Sequence, residues 1–332
     1  MKYALTAALA LASVAAHAQS HINIYGVLDA GLVLERGGPA GSRTDLSSGV
    51  GSGSRLGFKG TEDLGGGLSA DFVVESGFNV DTGKSGQGGV MFGRQAWVGL
   101  SGAFGSVSAG RQLSSYYKGL RDVADPFCDG FAGQAMNIIA GNSRVDNSVI
   151  YGTPTVAGWS AEVTYGAGEV PGNDATTRSR KRVLSGALSY APGPFAVVLA
   201  HHRREDAMLP DHVRNSLLAA RYTVGAVTAH AAFVRTRSLG GAGSHDALLG
   251  LAYKTGPHRV LVSAIRHEDR TAARRDARQF AVGYLYTLSR RSDLYTAYGH
   301  IRNDNGATFT VGNASNDGSG NAAFNLGLRH VF

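Results

Sequence analysis

The chain has one cysteine, Cys128, and only 8 prolines in 332 residues. A single thiol excludes an intrachain disulfide and a cysteine-rich metal site, and no histidine stands near it in sequence to activate it. Charged residues are scarce at 17%. Long apolar runs are missing too: beyond the first segment, nothing reaches the ~18 continuous apolar residues that a membrane-crossing helix needs. The positive excess, +7 at pH 7, is dispersed over many segments. Without a basic run it does not describe a nucleic-acid surface, although inside a cavity it would concentrate small anions.

What is plentiful is glycine, with 47 residues, beside hydrophobic residues at 43%. That balance suits strands and turns better than helices. Residues 1–18 read as a secretory signal, with Lys2 at the start, an apolar centre over Ala4 to Ala16, and Ala16-His17-Ala18 meeting the small-x-small cleavage rule. The remainder, 19–332, is then an exported chain without a helical anchor. Its destination is the periplasm, the exterior, or an outer membrane crossed by strands.

Ile22 to Glu35 alternates with period two, placing Ile22, Ile24, Leu28 and Leu32 opposite Asn23, Asp29 and Glu35. Its reach of roughly 45 Å exceeds an ordinary globular strand. Leu68 to Asp81 repeats the design, and segments of this kind continue to Ala322–Phe332, about sixteen in all, the even number expected of a bacterial barrel. Connections alternate in length. Short turns such as Asp63–Gly67 and Thr255–His258 are interleaved with long polar loops such as Gly37–Gly53, Asp269–Ala277 and Asp304–Asn321. Short turns on one side and long loops on the other mark an outer-membrane barrel, whose apolar face meets lipid and whose polar face lines water. The fold class expected is therefore all-β: a transmembrane antiparallel up-and-down barrel.

One stretch breaks the rhythm. Leu113 to Asn147 has neither a strand period nor a sustained helical one. It is far longer than an ordinary loop, and its aromatic and aliphatic content argues against disorder. A segment of this kind has a reason to lie inside the barrel.

Three stretches together resemble the general porin family of Gram-negative bacteria, trimeric barrels of sixteen strands. They are Ile24-Tyr25-Gly26-Val27-Leu28-Asp29-Ala30-Gly31, Ser54-Arg55-Leu56-Gly57-Phe58-Lys59-Gly60-Thr61-Glu62-Asp63-Leu64-Gly65, and Arg94-Gln95-Ala96-Trp97-Val98-Gly99-Leu100. The ending Gly327-Leu328-Arg329-His330-Val331-Phe332 looks like the family's closing strand, whose terminal aromatic is read by the barrel-insertion machinery. The resemblance implies a third loop, 113–147, folded into the lumen. It also implies a constriction in which Asp122, Asp125 and Asp129 face Arg55, Arg94 and Arg144, with Lys59 on the same polar face and Arg111 leading into the loop. Many family members carry Pro-Glu-Phe-Gly-Gly at the loop tip. This chain has Asp125-Pro126-Phe127-Cys128-Asp129-Gly130, which leaves the individual acidic contacts open. By alternation Arg94 shares its parity with Ala96, Val98 and Leu100. It reaches the lumen only if a bulge shifts the phase or if it stands above the membrane zone.

The expected activity is passive diffusion of small hydrophilic solutes and ions through a water-filled channel with weak anion selectivity. The partners implied are a homotrimer, outer-membrane lipid and the insertion machinery; no cofactor, metal or nucleic acid is expected. A substrate-specific channel is the alternative, and a barrel-type enzyme a more distant one. For an enzyme, His201, His202, His245, His267 and His300 are available but lack a local partner motif. Asn303-Asp304-Asn305-Gly306 and Asn316-Asp317-Gly318 hold oxygen donors without full calcium-loop spacing and read as turns.

Overall fold

A computed structural model describes residues 21–39, 41–168, 181–206, 209 and 211–332. The proposed signal, 1–18, lies outside the described residues. The strands are β1 (His21–Gly38), β2 (Gly41–Ser48), β3 (Arg55–Gly65), β4 (Leu68–Gly77), β5 (Gln95–Gly102), β6 (Gly105–Leu113), β7 (Arg144–Gly152), β8 (Trp159–Gly166) and β9 (Val183–Tyr190). They continue with β10 (Phe195–Glu205), β11 (His212–Val224), β12 (Val227–Arg237), β13 (Gly243–Thr255), β14 (His258–Asp269), β15 (Ala277–Thr287), β16 (Ser292–Asn303) and β17 (Ala322–Val331).

Neighbouring strands pair antiparallel, and β1 closes the ring on β17, from Val27 opposite Val331 to Arg36 opposite Ala322. Closure removes every free edge, which the bilayer interior demands. The first half of β1 pairs with β3 and the second half with β2. β2 and β3 thus share one place in the wall, and seventeen segments build a sixteen-stranded barrel. The sequence reading of Gly37–Gly53 as a polar loop is corrected here: β2 continues the wall upward as a hairpin with β1. Between β2 and β3 the chain leaves the sheet over residues 49–54 and turns inward.

Alternation sorts the side chains as a membrane barrel requires. On β1 the outward Ile22, Ile24, Leu28 and Leu32 are exposed, while the inward Asp29 and Glu35 are buried. The outward Leu199, Leu218, Phe233 and Leu249 continue the apolar band around the other side. The inner wall has two characters. From β10 to β17 it carries Val198, Leu217, Val234, Leu248, Ile265, Ile301 and Ala323, which bury Tyr116, Leu120, Ala124, Ile138 and Ile139 of the excursion. The core of the molecule is therefore inside the barrel, between one loop and one half of the wall.

That loop begins with a short helix, α1 (Ser115–Gly119), continued by a π turn, Leu120–Ala124. Ser114 caps it by accepting from the Tyr117 N–H at 3.1 Å. Polar bonds also tie the loop down. Tyr116 N–H donates to Ser185 Oγ at 3.1 Å, Lys118 reaches Glu162 at 2.7 Å, and Ala132 N–H donates to Asn325 Oδ1 at 2.6 Å. At the tip, Phe131 N–H donates to the Val50 carbonyl at 2.8 Å, so the inward turn after β2 meets the loop backbone to backbone. Glycine is required at this crossing, since a Cβ on Gly130 would stand 2.2 Å from the Gly51 carbonyl oxygen.

Candidate functional site

Between the loop and the opposite wall lies a cavity of about 840 Å³. Arg55, Arg94, Arg121, Arg144, Arg259 and Arg329 line it, against Asp122, Asp129 and Asp317. The guanidiniums come from both sides: Arg55, Arg94 and Arg144 from the wall at β3, β5 and β7, Arg121 from the loop, and Arg259 and Arg329 from β14 and β17.

Glu75, an inward residue of β4, organises the first wall. It accepts from Arg94 Nε at 2.6 Å and from the Tyr25 hydroxyl at 2.9 Å, and Arg55 Nε stands 3.8 Å away. Arg55 also donates to Ser52 Oγ at 3.1 Å and to the Gly53 carbonyl at 3.2 Å, both in the inward turn. Arg144 Nε donates to the Arg94 carbonyl at 3.0 Å and makes no ion pair among the described residues. Its charge is left to the water of the passage.

The parity problem of Arg94 resolves without a bulge. β5 starts at Gln95, so Arg94 sits just outside the strand, with its N–H on the Glu75 carbonyl at 3.2 Å and its side chain turned inward.

Of the residues singled out from sequence, Arg55, Arg94, Arg144, Asp122 and Asp129 share the cavity. Three stand elsewhere, and their expected places are corrected. Lys59 lies in a separate cleft with Asn23, Asp71 and Trp97, its ammonium 5.4 Å from the centre of the Tyr25 ring. Arg111 is held behind the wall by Asp146 and by the Gly93 carbonyl at 2.8 Å. Asp125 is buried and turned into the loop, where it accepts from the N–H groups of Phe127, Asp129 and Ala135 at 2.9, 3.0 and 2.9 Å. It shapes the tip and does not face the arginines.

The two acidic groups of the loop that reach the cavity differ in freedom. Asp122 is clamped by its neighbour Arg121 through bonds of 2.7 and 2.9 Å. Asp129 accepts from the Tyr117 hydroxyl. Burial pushes the Asp129 carboxyl above the ordinary range, although Tyr117 and the surrounding Arg121, Arg144 and Arg94 oppose the shift. Burial also pushes Asp125 up, to about 7, against its three backbone donors.

Sequence reasoning missed Glu75, Arg121, Arg259 and Arg329. Glu75 had a usable signal: it lies on the polar face of β4, opposite Gly57 and two residues from the partner of Arg55. Arg259 and Arg329 carry no such mark, because only closure brings β14 and β17 round to face β3, and Arg121 lies in the aperiodic excursion, where no period says which residue faces the lumen. Phe332 closes the seam, exchanging backbone hydrogen bonds with Gly26 at 3.0 and 3.1 Å. Its ring lies where a Cβ on residue 26 would be, 2.3 Å away, so Gly26 is needed there.

Comparison with known proteins converges on the same architecture. The model of the Gram-negative porin family matches residues 4–306. An outer membrane porin protein of Bordetella pertussis is 30% identical, with 100% of both chains covered. Outer membrane porin protein 32 of Delftia acidovorans is likewise 30% identical over 100% of both. Among solved structures, an anion-selective porin from Comamonas acidovorans superposes with a TM-score of 0.77 at 26% identity, covering 95% of this chain and all (100%) of that one. With the barrel, the infolded loop and the relatives in agreement, this chain belongs to the Gram-negative porin family and is an outer-membrane porin.

Proposed function

We propose that this porin passes small hydrophilic anions in preference to cations, and that the eyelet selecting them is the arginine-lined cavity, with Arg55, Arg94 and Arg144 on one wall and Asp122 and Asp129 on the loop. The observation that carries this reading is the imbalance of the lining: six arginines against three aspartates. Glu75 neutralises part of the wall, but Arg144 and Arg259 have no carboxylate partner among the described residues. In a narrow passage with low-dielectric walls such an excess raises the local anion concentration and repels cations. Arginines facing loop carboxylates also set a transverse field that favours dipolar solutes over apolar ones. Transport is passive and needs no cofactor or metal. The similar anion-selective porin from Comamonas acidovorans supports this reading.

The assembly proposed is a homotrimer, in keeping with a solved fold neighbour, OmpT of Vibrio cholerae, described in a trimer form. Residues 1–18 are proposed as the export signal and Phe332 as the recognition element for membrane insertion. Planar-bilayer recording tests the channel reading. Reversal potentials in a salt gradient are expected to show anion preference, and closing events are expected in threes. A cation preference would sink the selectivity, and single closing steps of full amplitude would sink the trimer.

A further inference from the structure

We infer that the periplasmic half of the lumen holds a second solute station, separate from the eyelet, that binds aromatic carboxylates between Lys59 and Trp97. The observation is one cross-strand row on the inner wall. Asn23 of β1 lies opposite Lys59 of β3, Lys59 opposite Val73 of β4, and Val73 opposite Trp97 of β5. These residues line a cleft of about 450 Å³, within the roughly 300–1,000 Å³ range of small-molecule sites. None of the lining residues comes from the infolded loop, so the loop does not cover it.

Parity turns the row inward. Lys59 shares its face of β3 with Arg55, and Val73 shares its face of β4 with Glu75; both partners belong to the eyelet wall. Strand rise puts Lys59 about 13 Å from Arg55, toward the short Asp63–Gly67 turn, which in these barrels is the periplasmic side. Barrel aromatics gather on the outer face, in the interfacial girdles. Trp159, the other of the chain's 2 tryptophans, does so: it is exposed and stacks on Tyr190 at 4.5 Å. Trp97 faces the lumen instead, its indole N–H reaching only Gln95 Oε1 at 3.4 Å. A girdle role does not account for it.

Charge completes the site. The rows above and below each hold a carboxylate, and both are engaged. Glu75 accepts from Tyr25 and Arg94, and Asp71 accepts from the Thr61 hydroxyl at 2.8 Å and the Ser101 hydroxyl at 2.6 Å. Lys59 between them has no ion pair among the described residues. The row thus offers a cation, a low apolar floor at Val73 and an indole, in that order, over two strand spacings or about 10 Å. A benzoate-like ion matches the order, with its carboxylate on the ammonium and its ring over Val73 against the indole. Flat rings gain from offset or edge-on contact with an indole, which a saturated ring of the same size does not, and a neutral sugar leaves the ammonium unanswered. The inference rests on the anion-passing reading of the eyelet only for the supply of carboxylates from the external side.

The test uses purified full-length protein in planar bilayers at fixed chloride, with half-blocking concentrations read for benzoate, cyclohexanecarboxylate and benzamide. Wild type is expected to be blocked by benzoate at an about fivefold lower concentration than by cyclohexanecarboxylate, the size of effect a stacked ring supplies. Benzamide, which keeps the ring and loses the charge, should need about threefold more than benzoate. Trp97→Leu should abolish the lead of benzoate over cyclohexanecarboxylate and keep its lead over benzamide. Lys59→Gln should keep the first lead and narrow the second, and Lys59→Arg should restore it. A merely structural role for either residue would not split ring from charge in this way. Equal block by benzoate and cyclohexanecarboxylate in wild type, or leads unchanged in Trp97→Leu and Lys59→Gln, would overturn the inference. Lys59 is exposed, so the wild-type comparison and Lys59→Gln decide the matter even if Trp97→Leu does not fold. The chloride reversal potential is read separately. Anion preference with equal block leaves the selectivity standing and sinks the station, whereas cation preference with the benzoate lead intact leaves the station standing and sinks the selectivity.

Discussion

At Glu75 one carboxylate, almost fully buried, serves the Tyr25 hydroxyl, the Arg94 guanidinium and, at longer range, Arg55. It holds the wall arginines in place and also subtracts from their charge. Glu75→Gln keeps the shape and removes the charge, so reversal potentials are expected to move two- to threefold further towards anions. Loss of a charge-assisted bond at a mostly buried group should cost about 1–3 kcal/mol, measured as a lower urea midpoint in lipid. Asp129 gives the lumen a pH response. Its carboxyl is raised by burial, so as pH falls it takes up a proton while ordinary carboxylates, near 3.9, are still charged. The lining then loses a negative charge and becomes more positive. Anion preference should therefore rise on mild acidification, and Asp129→Asn should show that higher preference at every pH with the step abolished. A titration of reversal potential from pH 8 to pH 4.5 checks both.

The infolded loop is an element held by burial, by backbone bonds and by Asp125. A carboxyl whose folded value is raised to about 7 favours the folded state most when protonated. Its contribution is complete below about pH 3.9, the unfolded value, and is lost as pH rises through about 7. Loop seating should loosen on the alkaline side, seen as more current flicker at pH 8 than at pH 5, and Asp125→Asn should flatten that difference. These elements were unequally legible in the sequence. Membrane strands announce themselves because lipid selects every second residue, so β1, β4 and the later strands read directly as alternation. β2 did not, because Gly41 to Ser48 is polar except for the exposed Leu46 and so shows no alternation. The excursion was visible as a break in period, yet its interior has no period to say which aspartate faces where. Asp122, Asp125 and Asp129 look alike in the chain, and only the fold separates a clamped, a buried and a lumen-facing group. Arg94, placed in the constriction by the resemblance but set against the apolar parity of β5, shows a similar limit: alternation holds only inside a strand, and β5 starts one residue later.

Over the whole molecule the usual arrangement of apolar and polar residues is turned inside out. Leu249, in the middle of β13, is 67% exposed and faces the bilayer. Leu249→Arg should destabilise the barrel by about 2–4 kcal/mol, as expected for a cation near the midplane, read from denaturant unfolding in vesicles. Conductance of the folded fraction should not change, because the lumen is untouched. The interior apolar patch has a different consequence. The surface that receives the loop is drawn from β10 to β17, so the loop seats only where those strands are in place. Until it does, the bore is set by the wall alone, and a barrel whose loop is unseated should admit solutes that the finished channel turns away.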